Sequence, residues 1–355
     1  MTQKLRNEQL DAPATETKAG TMSAGDKAKL NAHHIDIRDF GVKLDDSNEY
    51  TSQIQAAWAA GVADGRKVFH PAGNVNTHLL TPPSGLRVYG VGGQQATKPS
   101  TLKLVQSATN LISFADVDVQ FDGLAFNGNG LPTDAVLGFP NLVNSIKMFD
   151  CLVYGAIEAT SDLVAFTGTV GGDSCIFERC TFVQNPLNAT NRCRNVIRNS
   201  QNSNAFLINF NDCFFKGGAR MLDVGGTGGS VNFHHCQGFF FDNEFIFIHS
   251  ICQGFEVQDF YTEQTPVPFI RQVATAGATG YSEITLKRLT LNDANDIILT
   301  GQQPVVIEDS FTAGNFHYDP VATYGLYPPF SIRNTFIIGH GWIGTGADDV
   351  IRLND

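Results

Sequence analysis

The chain has 355 residues, 42% of them hydrophobic, with 27 Phe and only four Met, so a sizeable core can be buried. Charged residues make up 17%, and a formal net charge of -11 with no basic stripe argues against nucleic acid and anionic membrane as partners. No uncharged apolar run reaches the roughly 18–20 residues that span a bilayer, so no membrane insertion is expected; the most apolar window, Gly238 to Ile248, is interrupted by Asp242 and Glu244. The N-terminus, MTQKLRNEQLD, has no apolar h-region, so no secretory signal is expected. Seven cysteines, an odd count without paired spacing, do not describe a disulfide framework.

Residues 1–34 are polar and poor in large apolar groups, too poor to build a core alone. Within them, Thr21 to Leu30 reads as a short helix, with Ser23 as N-cap, Asp26 in the first turn and Lys29 at the end, in line with the helix dipole. Met22-Ser23-Ala24-Gly25-Asp26-Lys27-Ala28-Lys29-Leu30 resembles the MSAxDKxKL joint of many phage tail fibre and tail spike proteins. From Ile35 the character changes. Ile35 to Gly41 reads as a strand ending in a Gly turn, followed by a polar loop at Asp45-Asp46-Ser47-Asn48. Ser52 and Gln55 have the spacing of a capping box, which predicts a helix over about 52–64. Ile54, Ala57, Trp58 and Val62 share its apolar face, and Gly65 stops it. Val68-Phe69 is a strand, and Pro71-Ala72-Gly73 turns out of it.

Asp39-Phe40-Gly41-Val42, Asp45-Asp46, Thr51-Ser52-Gln53-Ile54-Gln55-Ala56-Ala57 and Val68-Phe69-His70-Pro71-Ala72-Gly73 follow one another over about 40 residues. In order and spacing they resemble the start of the pectate-lyase-like superfamily of right-handed parallel β-helices, in the version common to phage tail spikes. The family's usual Gly-Asp-Gly before the acidic pair is Val42-Lys43-Leu44 here. The resemblance implies that the helix caps the first open edge of the solenoid, where unpaired backbone groups would otherwise invite aggregation.

Between Asn74 and Asp118 the coils begin irregularly, with strands at Leu86 to Tyr89 and Leu102 to Leu104. Nine repeats then follow to Gly339, starting at Val119, Ile146, Cys175, Ile208, Val231, Phe255, Ile284, Val305 and Phe330. Each has apolar first and third positions, mostly polar or Gly residues at the fourth and fifth, and mostly apolar or small residues at the sixth and eighth. That pattern is a strand, a tight corner and a second strand. The sixth positions recur every 21 to 33 residues, the mark of a solenoid with inserted loops. About eleven coils at a rise of ~4.8 Å give a rod on the order of 50 Å.

Stacking sets equivalent positions of successive coils side by side. The sixth column contains Cys151, Cys180, Cys213 and Cys236 in succession, flanked by Leu124, Phe260 and Leu289. One side chain per rung cannot surround an ion, so this file reads as core packing and no metal is expected. The fifth column runs Gly123, Asp150, Arg179, Asp212, His235, Asp259, Arg288, Asp309, Asn334, with alternating sign. These residues read as a register device, not as catalysts. Solvent-facing roles are expected for His33-His34 and His234-His235. No nucleophile elbow, P-loop or zinc pattern is present, and no cofactor is expected.

The fold expected is therefore all-β: a right-handed single-stranded parallel β-helix over 35–355, with an N-terminal α-helical cap and a short attachment segment at 1–34. Glycoside cleavage needs two carboxyl groups roughly 5–9.5 Å apart on one cleft. With the corner file set aside, the candidates are Asp223, Asp242, Glu244, Glu256 and Glu263. Asp242 and Glu244, two apart in FFFDNEFIF, would face the same way along a regular strand. Tyr261 beside Glu263 offers an aromatic next to a carboxylate, suited to sugar, and Glu256 joins it as a candidate ligand-binding residue. The resemblance implies a phage tail spike or tail fibre component of the virion: a homotrimer that binds host surface polysaccharide and joins other tail proteins through residues 1–34. The alternative is a depolymerase, a hydrolase or lyase acting on capsule or lipopolysaccharide. A chain that stops soon after its last coil, with no carboxylate pair standing out, favours binding without catalysis.

Overall fold

The computed structural model describes residues 33–343, apart from 45, 93–97, 116, 141–144, 158, 169–173, 185–191, 201–206, 226–229, 250–253, 264, 274–282, 294, 301–302, 319–329 and 340. It is a parallel β-solenoid. Twelve strands, from His34–Asp36 through Asp118–Asp122 and Ser230–His234 to Phe330–Arg333, form a first face in which every pairing is parallel. The remaining 19 strands form two further series. A second face runs from Gly73–Thr77 through Leu124–Asn127 and Thr181–Val183 to Phe336–Ile337. A third runs from Ala108–Ser113 through Asp162–Phe166 and Asn195–Asn199 to Gly341–Ile343. Each regular coil thus has three strands where the repeat pattern predicts two; the third lies in the variable segments between repeats. Two long strands, Phe214–Val224 and Gln237–Ile248, run through both the second and third faces.

The first face keeps the register of the repeats. Val119, Ile146, Cys175, Ile208, Val231, Phe255, Ile284, Val305 and Phe330 are partners in unbroken succession. The fifth-column residue adopts the left-handed conformation on every one of these rungs, with φ from +47° at Asn334 to +65° at Gly123. Asp and Asn tolerate that region better than most residues, because their side chains hydrogen-bond locally. Inside, phenylalanines stack rung upon rung: Phe177, Phe210 and Phe233 at 4.8 and 5.0 Å, and Phe114, Phe139 and Phe166 at 4.6 and 4.5 Å. Burying each contributes about 1.5–3 kcal/mol, and Met148, Val257, Leu286 and Ile307 carry the inward third position on other rungs, which keeps the core continuous.

Cys151, Cys180, Cys213 and Cys236 are 0–2% exposed. Their thiols donate to backbone carbonyls, with Cys180 reaching Met148 at 3.4 Å and Cys236 reaching Phe210 at 3.3 Å on the preceding rung. Burial pushes the thiols of Cys151 and Cys213 up, the behaviour of small hydrophobes. Cys252 lies outside the described residues.

At the N-terminal end, helix α1 (Thr51–Ala63) packs Ile54, Ala57 and Trp58 against the first rungs. The expected capping box does not form. The helix starts one residue earlier, Tyr50 occupies the N-cap position, and the Glu49 carboxylate accepts the Thr51 N–H at 2.6 Å. That carboxylate supplies the anion the helix start favours, and it frees Gln55 to donate to Thr81 Oγ1 at 3.3 Å. Val62 is only half-buried, while Gly61 is buried because a Cβ there would meet Val68 Cγ2 at 2.5 Å. Beneath the helix, Trp58 Nε1–H donates to the buried His70 Nε2 at 3.1 Å. The strand expected over Ile35 to Gly41 is also shorter. The Asp36 carboxylate accepts the Arg38 N–H at 2.9 Å and starts a 3-10 turn, Ile37–Phe40, that ends at Gly41 with φ +85°. The helix expected at Thr21 to Leu30 lies outside the described residues.

Candidate functional site

The two long strands carry most of the candidate carboxylates, and there the repeat is disturbed. Gly218 pairs with Phe241 but Arg220 with Glu244, so Gln237–Ile248 carries one extra residue in a bulge. The bulge interrupts the alternation expected through FFFDNEFIF: Asp242 and Asn243 are both exposed, and Glu244 is buried. Asp242 pairs with Arg192 and keeps 49% of its side chain exposed. Glu244, at 7%, is held by Arg220 Nε at 2.8 Å and Arg271 Nη1 at 3.5 Å. The two acids are thus bound to different arginines.

The third face carries a second charged cluster. Its hub is Asp162, wholly buried, whose carboxylate takes Arg194 at 2.6 and 3.0 Å, Arg198 Nε at 2.6 Å, and the backbone and side-chain N–H of Asn195 at 3.1 Å. Such a carboxylate is buried at little net cost only because every lone-pair direction is filled. Asp162 in turn pushes the Arg194 guanidinium up. Arg198 also reaches Asp134. Further along the face, Asp223 receives Arg220 at 3.5 Å and the His249 ring at 2.8 Å. His249 stacks on Phe247 at 5.0 Å, and Arg220 lies 4.6 Å over the other end of that aromatic row. Gly225 gives the imidazole its floor, since a Cβ there would stand 2.8 Å from His249 Cε1. A half-exposed histidine oriented by a carboxylate, with guanidinium groups beside it, is an arrangement suited to proton transfer at an anionic substrate.

Tyr261 and Glu263 come together on the second face, the phenol donating to Glu263 Oε2 at 2.5 Å, and this contact pushes the tyrosine up. Phe239, 6.1 Å from Tyr261 and 5.4 Å from Phe214, extends an aromatic row across three rungs. Glu256 is elsewhere. It lies on the first face between Asn232 and Thr285, with His234 Nε2 at 3.8 Å. Two of the corner acids are gripped by the arginine next in the file, as the alternation predicts: Arg179 holds Asp150 with two bonds of 2.9 and 3.0 Å, and Arg288 holds Asp259 at 2.6 and 2.8 Å. Asn334 donates to Asp309 at 3.1 Å.

Sequence reasoning missed Asp134, Asp162, Arg194, Arg198, His249 and Arg271, all on the face it did not see. One signal was present: Arg192, Arg194 and Arg198 fall within seven residues of a chain with only 24 Lys and Arg.

No protein-family model matches the chain, and no curated protein sequence matches it. Among solved structures it is similar to ORF18 of Geobacillus virus E2, at 13% identity and a TM-score of 0.55, over 90% of this chain and 62% of that one. It is similar to a tailspike protein of the Acinetobacter baumannii bacteriophage Fri1, described as a capsular polysaccharide depolymerase, at 12% identity and a TM-score of 0.53, over 90% and 65%. It is also similar to the catalytic unit of a GH87 α-1,3-glucanase from Streptomyces thermodiastaticus, at 12% identity and a TM-score of 0.52, over 89% and 70%. The chain spans less than two thirds of both viral structures. At these identities the likeness is one of fold, the parallel β-solenoid.

Proposed function

We propose that this chain is a phage tail spike or tail fibre component that recognises a host surface polysaccharide. The parallel solenoid itself carries the reading, because it aligns nine tenths of the chain with two viral structures, one of them a tailspike. In this reading residues 1–34 attach the protein to the rest of the tail, helix α1 caps the right-handed solenoid, and the working form is a homotrimer. Phe336 and Ile338, 64% and 60% exposed at the C-terminal end of the second face, support subunit packing there. The protein binds without cleaving: Glu244 is locked between two arginines and Asp242 by a third, which leaves neither free as an acid or a nucleophile.

The depolymerase reading is favoured by a different observation, the oriented His249–Asp223 pair. Incubation of the protein with purified host polysaccharide, followed by measurement of reducing ends and chain length, separates the two. Retention on the polymer with unchanged chain length is the expected result. Release of oligosaccharides that stops in His249→Ala would replace binding with catalysis. Light scattering at micromolar protein should give three times the chain mass; a monomer would count against the spike.

A further inference from the structure

One corner of the solenoid is built against the preference of its residue. At the end of the second-face strand, Tyr154, Val183, Lys216 and Phe239 are partners on successive rungs, so Gly155, Gln184, Gly217 and Phe240 follow them in turn. Gly155 and Gly217 take φ of +83° and +75°, a region glycine enters freely. Phe240 takes φ +61° in the same place, and it is the largest apolar side chain at positive φ among the described residues. Bulky L-residues avoid that conformation. Core packing does not explain it, because the ring is 37% exposed.

The backbone around the ring is clamped. Phe240 N–H donates to Thr265 Oγ1 at 2.6 Å, and its carbonyl accepts from Arg192 Nη1 at 3.1 Å, the arginine that also pairs with Asp242. Lys216 Nζ stands over one face of the ring, 5.1 Å from its centroid, and this ammonium has no carboxylate partner among the described residues. A part-exposed aromatic ring, a cation over one of its faces and a half-exposed carboxylate two residues on are the parts of a sugar subsite: the ring takes the apolar face of a pyranose, the carboxylate a hydroxyl, and the cation an acidic substituent. Strain held at an exposed ring by two backbone hydrogen bonds is the pattern expected of a working residue.

We infer that Phe240 is the stacking platform of a subsite for an acidic sugar, with Lys216 holding the sugar's carboxylate and Asp242 a ring hydroxyl. The inference rests on the polysaccharide-binding reading and gives it a location and a charge preference. The subsite is tested on the full chain by saturation-transfer NMR with methyl glucuronide and methyl glucoside at millimolar concentration. The glucuronide should give the stronger transfer. Phe240→Ala should weaken it about tenfold, which is a loss of roughly 1.4 kcal/mol, and Lys216→Gln should bring the glucuronide down to the level of the glucoside. Phe240→Gly should lose the signal in the same way while raising the thermal midpoint, because glycine releases the backbone strain. Absence of transfer in the unmodified protein, equal transfer in Phe240→Ala, or a lower midpoint in Phe240→Gly would each overturn the subsite. Retention on host polysaccharide that survives Phe240→Ala would sink the subsite and leave the proposed function standing. A glucuronide signal from a protein that retains no host polysaccharide would do the reverse.

Discussion

Two sets of carboxylates on this solenoid bind arginines in opposite surroundings. The corner file of the first face is exposed: Arg179 and Asp150 keep 49% and 46% of their side chains in water. On the third face Asp162 keeps none. The exposed pairs recur at a fixed column because the corner backbone recurs, and water screens each of them. Asp162 opens a third-face strand, and its place depends on five hydrogen bonds arriving from one neighbouring rung. Regular charge on this fold is therefore cheap and replaceable, whereas buried charge is singular and costly to disturb.

Acid should show the contrast most strongly. Burial holds His70 down at about 3, against 6.5 for a free imidazole. The unfolded chain binds a proton in that interval and the native chain does not, so stability is complete above about pH 6.5 and falls as pH drops towards 3. The loss approaches roughly 5 kcal/mol for this one group, readable as a falling urea midpoint. Asp259, held down at about 2 by Arg288 and Gln258, loses its contribution only as pH falls from about 3.9 through 2, and as an exposed pair it adds less than about 1 kcal/mol. A midpoint flat from pH 7 to 4 would break the assignment of His70 as a buried neutral group.

Asp162→Ala comes next, at about 3 kcal/mol. The figure sits at the low end of the range for broken buried pairs because Arg194 and Arg198 are 39% and 20% exposed and reach water once released. Asp212→Val should cost about 1–2 kcal/mol through the left-handed corner alone, and Asp212→Gly should cost much less. The smallest effect belongs to the exposed file: a double-mutant cycle on Asp259 and Arg288 should give a coupling of about 0.2–1 kcal/mol that shrinks with added salt. A larger coupling there than the whole effect at Asp162 would invert the comparison.

The same contrast governs what was legible beforehand. The nine repeat starts are partners residue for residue, because a strand with one inward face and a fixed corner leaves its period in the sequence. The third face left no such period, since the distance from each corner to its third strand changes with every inserted loop. Partners of the candidate acids were hidden for the same reason. Arg192 reaches Asp242 across 50 residues and Arg220 reaches Glu244 across 24, separations that only the coil lengths determine. Asp242 and Glu244 stood out because they interrupt an apolar segment. The bulge that divides them, and the arginines that hold them, have no local signature.

The corner file has a further consequence for how such a rod changes length. A solenoid coil touches only its neighbours, so a whole coil can be removed and the ladder closed again. Closing it after the loss of the Asp212 coil sets Arg179 against His235, while loss of the Asp212 and His235 coils together sets Arg179 against Asp259. Alternating sign thus makes the solenoid sensitive to parity: it lengthens or shortens most readily by two coils at a time, about 10 Å.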